Sequence, residues 1–109
     1  MSTLSTHVLD TSVGKPAAGI TVTLERNGAA IKVGLTNADG RLGDIQENGA
    51  VLDEGDYALR FAVAEYFEGS GLECFYPQIV IHFRMRGGME HYHVPLLVSP
   101  FGYSTYRGS

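Results

Sequence analysis

The sequence predicts an all-β fold, a sandwich or a barrel, on three observations. Short windows alternate apolar and polar residues with a period of two, which marks half-buried strands. Fourteen glycines and four prolines punctuate the 109 residues. Turn signals recur about every 8–12 residues, and no window holds a long helical period.

The first strand is "TLSTHVLDT". Leu4, Thr6 and Val8 share one face, and Ser5, His7 and Leu9 the other. "VGKPAAG" reads as a turn, and "ITVTLER" as a strand with Ile20, Val22 and Leu24 inward. Asn27-Gly28 tolerates positive φ, so "NGAA" closes a hairpin onto "AIKVGLT". Asp39-Gly40 in "NADGR" supplies another tight turn. "YALRFAVAEYF" begins as a strand with Tyr57, Leu59, Phe61 and Val63 on one side. A short helix is expected in "EYFEGSGLE", ended by Gly69 and Gly71. "PQIVIHFRM" is a strand with Ile79, Ile81 and Phe83 on one face. In "EHYHVPLLVS", Tyr92, Val94, Leu96 and Val98 face one way, and His91, His93, Pro95 and Leu97 the other. Pro95 inside that strand predicts a local gap in pairing or a bulge. "FGYSTYRG" is the last strand. Seven or eight short strands and one short helix make a single domain over residues 1–109.

Composition narrows the function. With 44% hydrophobic and 18% charged residues the chain reads as globular rather than disordered. A net charge of −4 and unclustered Lys and Arg argue against a nucleic-acid or anionic-membrane partner. Cys74 is the one cysteine, so no intrachain disulfide forms and nothing points to an oxidising compartment. The first dozen residues do not read as a signal peptide, and no apolar run is long enough to span a membrane. The expectation is a cytoplasmic protein.

Histidines carry the candidate chemistry. His91 and His93 project from one strand face, and His7 lies opposite the apolar set of its own strand. If the first and penultimate strands share a sheet, three imidazoles gather on its outer face. Such a group can bind zinc, or act as general base and acid near neutral pH, or simply be solvated. His82 shares a face with Val80 and Arg84 and reads as solvated. Arg41 follows the Asp-Gly turn and offers a fixed fork of donors to carbonyl or anionic oxygens. Tyr106, Arg107, Ser109 and the terminal carboxylate add hydrogen-bonding groups. The strand pattern runs through Tyr106, so this end reads as paired or buried rather than frayed. Cys74, within "LECFYP", reads as a buried structural cysteine. The common hydrolase and nucleotide signatures are absent.

"LSTHVLD", "GKPA", "TNADGR", "FYP" and "HYHVPLLVSPFGYSTYRGS" together resemble the 5-hydroxyisourate hydrolases, the transthyretin-related enzymes of purine breakdown. The resemblance spans essentially the whole chain, and the terminal "YRGS" is its most specific part. Transthyretin shares the "SP…YST" run but lacks "YRGS". The resemblance implies a transthyretin-like two-sheet β-sandwich of about eight strands with one short helix. It implies hydrolysis of 5-hydroxyisourate at a cyclic amide, giving 2-oxo-4-hydroxy-4-carboxy-5-ureidoimidazoline, with no metal and no organic cofactor. Carried over residue by residue, His7, Arg41, His93 and Ser109 are catalytic. His7, Arg41, Tyr106, Arg107 and Gly108 contact substrate, and His91 matches the motif with a weaker tie to chemistry. The implied assembly is a homotetramer, a dimer of dimers with active sites at the dimer–dimer interface. Three rivals stand beside it: a transthyretin-like carrier, a zinc-binding sandwich using His7, His91 and His93, and a plain interaction module.

Overall fold

The structure, a computed structural model, describes residues 2–43, 45, 52–88 and 90–108. The strands are β1 (Thr3–Asp10), β2 (Lys15–Pro16), β3 (Thr21–Arg26), β4 (Ala29–Leu35), β5 (Arg41–Leu42), β6 (Gly55–Phe61), β7 (Ile79–Met85), β8 (His91–Ser99) and β9 (Gly102–Thr105). One helix, α1 (Val63–Glu68), follows β6. The strands form two sheets. One has the order β2-β1-β8-β9, with β5 also paired to β1; the other has the order β4-β3-β6-β7. Of the sandwich and the barrel that the alternating pattern allows, this is the two-layer sandwich, as the family resemblance implies.

Alternation sets what each sheet buries. Leu4 and Val8 of β1, Val22 and Leu24 of β3, Leu59 and Phe61 of β6, and Leu96 and Val98 of β8 are all 0% exposed. Burying each such side chain stabilises the fold by roughly 1.5–3 kcal/mol. The buried polar side chains are satisfied. Thr6 Oγ1 donates to the Val94 carbonyl, and Thr36 Oγ1 donates to the Ala17 carbonyl at 2.8 Å while accepting from Ile20 N–H at 2.9 Å. Asp10 accepts from Tyr66 Oη at 2.8 Å and from Ser12. Burial, reinforced by that carboxylate, pushes the Tyr66 hydroxyl up to about 12.

Two strands appear where the sequence read only turns. Each is two residues long: β2 pairs with Leu9 and Asp10, β5 with Thr6 and His7. Both are rungs added to β1 by chain returning from a turn, and a two-residue rung has no period to detect. The helix starts earlier than expected, at Val63 instead of within residues 65–73, because Val63 and Phe67 lie one turn apart and both pack into the core. Its end matches the expectation. Gly71 has φ +77°, Leu72 N–H reaches the Phe67 carbonyl at 3.0 Å and Gly71 N–H the Glu68 carbonyl at 2.9 Å, a Schellman closure. Among the described residues no helix is long and apolar enough to cross a membrane.

Candidate functional site

The outer face of the first sheet holds the candidate chemistry. Strands β1 and β8 run parallel, with Thr3 opposite His91, Ser5 opposite His93 and His7 opposite Pro95. Leu4, Thr6, Val8, Tyr92 and Val94 of the same strands are buried. The two-residue period therefore sends His7, His91 and His93 to the other side. The sequence made this gathering conditional on a shared sheet, and the condition holds.

Strand β5 sets Arg41 opposite His7. The loop that delivers it is tightly bonded. Asn37 Oδ1 accepts from the N–H groups of Asp39 (2.9 Å) and Arg41 (3.0 Å), and Asn37 N–H donates to the Arg41 carbonyl at 2.9 Å. Gly40 has φ +74°, its carbonyl accepts from Val8 N–H at 2.7 Å, and a Cβ placed on it would lie 2.4 Å from the Val8 carbonyl oxygen. Only glycine lets the loop press so closely on β1. The Asp39 carbonyl oxygen is thereby brought 2.9 Å from His7 Nε2. A carbonyl can only accept, so His7 carries its proton on Nε2 and, when neutral, keeps its lone pair on Nδ1.

His93, like His7, is half-buried, whereas His91 is exposed. Its Nδ1 lies 2.8 Å from Ser5 Oγ, which is also 2.8 Å from His91 Nε2. Thr3 Oγ1 completes the row, 2.6 Å from His91 Nδ1. Burial first, then the charges of Arg41, His7 and His91, hold the His93 imidazole below the ordinary histidine range. That favours the neutral ring, whose Nε2 is the nitrogen not engaged by Ser5.

The C-terminal segment closes on this ring. Gly108 N–H donates to the His93 carbonyl at 2.8 Å, and a Cβ on Gly108 would meet His93 Cδ2 at 2.6 Å. The last ladder rung of β8 and β9 pairs Leu96 with Thr105, and the bridge beyond it pairs His93 with Gly108. The intervals match, so there is no bulge; Pro95 leaves the local gap that a proline in a strand predicts. Thr105 Oγ1 donates to its carbonyl at 2.6 Å. Tyr106 is 59% exposed. Arg107 is held elsewhere: its Nη2 donates to Glu90 Oε2 at 3.0 Å, and its guanidinium lies 4.5 Å over the Tyr92 ring. Tyr92 points inward, so Arg107 sits at the sandwich edge, lining a groove of about 310 Å³ with Ile81, Phe83 and Val94. Ser109 lies outside the described residues.

The remaining candidates separate cleanly. His82 is exposed on the second sheet, opposite Ala58. Cys74 is half-buried against the core and directs its thiol to the Tyr76 carbonyl at 3.2 Å. Among the described residues no three His, Cys, Asp or Glu side chains come together to hold a metal ion, so the zinc reading gains no geometric support. The sequence reading missed Ser5 and Thr3. Alternation already put both on the face of His7; only the register with β8 gives them partners.

A model of the HIUase/Transthyretin family matches residues 4–108. The chain belongs to this family. Within the HIUase/Transthyretin family it is 49% identical over 113 residues to the 5-hydroxyisourate hydrolase of Mesorhizobium japonicum, covering 97% of this chain and 91% of that one. The 5-hydroxyisourate hydrolase of Klebsiella pneumoniae superposes with a TM-score of 0.92 at 43% identity, covering 100% of each chain. Transthyretin from Sparus aurata superposes with a TM-score of 0.88 at 26% identity, covering 96% of this chain and 95% of that one. The fold is thus common to hydrolase and transthyretin members of the family, and side chains must tell them apart.

Proposed function

We propose that this protein hydrolyses 5-hydroxyisourate to 2-oxo-4-hydroxy-4-carboxy-5-ureidoimidazoline in urate degradation. The observation that carries the reading is one convergence. His7, Arg41, His93 and Gly108 meet on a single sheet face, in a chain whose relatives bear that enzyme's name.

Opening a cyclic amide with water requires an activated water, a partner for the developing oxyanion and a proton for the leaving nitrogen. The bonds to the Asp39 carbonyl and to Ser5 engage one ring nitrogen each and leave over Nδ1 of His7 and Nε2 of His93. One serves as general base and the other orients water or substrate. Arg41, which does not deprotonate, holds the substrate oxygens and the charge that grows on them. Tyr106 and Gly108 wall the substrate ring, and Ser109 keeps the catalytic role that the family resemblance implies. Arg107, which the family resemblance assigns to substrate, joins them on leaving both Glu90 and the Tyr92 ring at the sandwich edge.

The imidazole face of one chain is open rather than enclosed. Val13 (59% exposed) and Phe101 (67%) stand in the turns after β1 and β8, at one end of that face. Apolar residues presented at the far end of the sheet that carries the imidazoles fit a homotetramer built as a dimer of dimers, with the sites walled where two dimers meet.

A transthyretin-like carrier is the second reading, favoured by the superposition on the Sparus aurata protein. One assay separates the two. Urate is oxidised by uricase in the cuvette, and the decay of hydroxyisourate absorbance is followed with and without this protein. The hydrolase accelerates the decay. A carrier leaves it at the spontaneous rate, which would overturn the proposal.

A further inference from the structure

The row Thr3–His91–Ser5–His93 imposes proton arithmetic. Ser5 has one hydroxyl proton and stands 2.8 Å from two ring nitrogens, His91 Nε2 and His93 Nδ1. It can donate to only one of them, so the other must donate to Ser5. The tautomers of His91 and His93 are therefore coupled through a single oxygen. With both rings neutral, two arrangements satisfy every contact. In the first, Ser5 donates to His93 Nδ1; the His93 proton then sits on Nε2, and His91 donates Nε2–H to Ser5. In the second, His93 donates Nδ1–H to Ser5, Ser5 donates to His91 Nε2, and His91 donates Nδ1–H to Thr3 Oγ1, 2.6 Å away.

Only the second leaves a lone pair on the His93 nitrogen that faces away from the row. It also needs no rearrangement during turnover. When Nε2 takes a proton from water, the ring becomes an imidazolium whose Nδ1–H already has an acceptor in Ser5. The first arrangement would have to reverse every hydrogen bond in the row before His93 could accept that proton.

We propose that Ser5, backed by His91 and Thr3, is a positioning group that holds His93 as the Nδ1–H tautomer with its lone pair on Nε2. This rests on the proposed hydrolysis, takes His93 rather than His7 as its general base, and assigns that base its working nitrogen. Ser5 touches no substrate; it acts through His93. Gly108 packs close to the same ring, since a Cβ added to it would lie 2.6 Å from His93 Cδ2, and so limits ring rotation. The outward position of Ser5 on β1 means that its hydroxyl can be removed without opening the core.

The test uses full-length protein with nitrogen-15 in the histidine rings, read at a pH above the histidine range. The wild type is expected to show His93 as Nδ1–H. Finding Nε2–H there overturns the proposal, whatever the variants do. Ser5→Ala is expected to move His93 toward Nε2–H and to lower kcat at least about tenfold with little change in KM. Ser5→Thr, which keeps the hydroxyl, is expected to restore both. A Ser5→Ala protein that retains the Nδ1–H signal and full kcat overturns the proposal, as does a Ser5→Thr protein that restores neither. The underlying reading fails separately. If His93→Ala turned over substrate at the wild-type rate, His93 would not be the base, while the ring spectra would still decide what Ser5 does to its tautomer.

Discussion

His93 shows how much a single side chain's surroundings decide. A histidine whose pKa drops on folding gains its proton more readily unfolded than folded. Its contribution is whole above the ordinary value of 6.5 and is lost as the pH falls below that value. The same shift keeps the ring neutral and available as a base. The acid limb of kcat/KM is therefore expected below pH 6.5 if His93 is the base. Burial is the larger cause and the Arg41 charge the next, so Arg41→Gln should raise the His93 titration toward 6.5. A ring-proton NMR titration of the two proteins measures this, and an unchanged midpoint would sink the electrostatic account. Gly108 matters for the space it leaves. In Gly108→Ala the new methyl would stand 2.6 Å from His93 Cδ2. Tilting the ring to relieve that contact costs about 0.5–1.5 kcal/mol of stability. A misplaced base costs up to about 100-fold in rate. Steady-state kinetics beside thermal denaturation should show activity falling far more than Tm.

At the scale of elements, the site is a product of register. Strand β1 is paired along one edge by β8 and met by β2 and β5 at successive positions along the other. The β5 contact is two residues long, yet it sets Arg41 opposite His7. It depends on Gly40, whose positive φ and 2.4 Å Cβ clearance to the Val8 carbonyl leave no room for a side chain. Gly40→Ala should cost about 1–3 kcal/mol in backbone strain alone, measured by urea unfolding. It should also impair turnover, because the Asp39 carbonyl that orients His7 belongs to the same loop. Equal stability of this variant and the wild type would mean that the loop has another way to close. Pro95 acts at the same scale: having no N–H to give, it leaves a gap in the β8–β9 ladder, and the chain re-engages only at Gly108.

For the molecule as a whole, stability and activity lie in separable parts. The core residues of β1, β3, β6 and β8 fill the space between the sheets, whereas Tyr106 and Arg107 line a groove at its edge and stand outside the buried cluster. Removing residues 106–109 should therefore abolish most turnover while the melting temperature shifts by only a few degrees. A tail-deleted protein with full activity would refute the placement of this segment in the site. The open imidazole face makes the same division visible between chains. Sedimentation of the wild type is expected to give the mass of four copies, and a monomer with full activity would show that one chain encloses its own site.

Local chemistry made much of this protein legible before any fold was known. Alternation identified the buried faces of the long strands, Asn27-Gly28 and Gly71 marked a hairpin and a helix end, and the spacing of His91 and His93 put them on one face. These depend on neighbours in sequence, and a period of two or a positive φ is written there. The partners of those histidines are a different matter. Ser5 meets His91 and His93 across more than 80 residues of chain, and Asp39 meets His7 across 32. Arg107, a member of the same terminal motif as Gly108, turns to Glu90 and Tyr92 on the other side of the strand. Hydrogen bonds depend on distances that strand pairing alone sets, so the tautomers and the neutral state of His93 belong to the tertiary structure and not to any stretch of sequence.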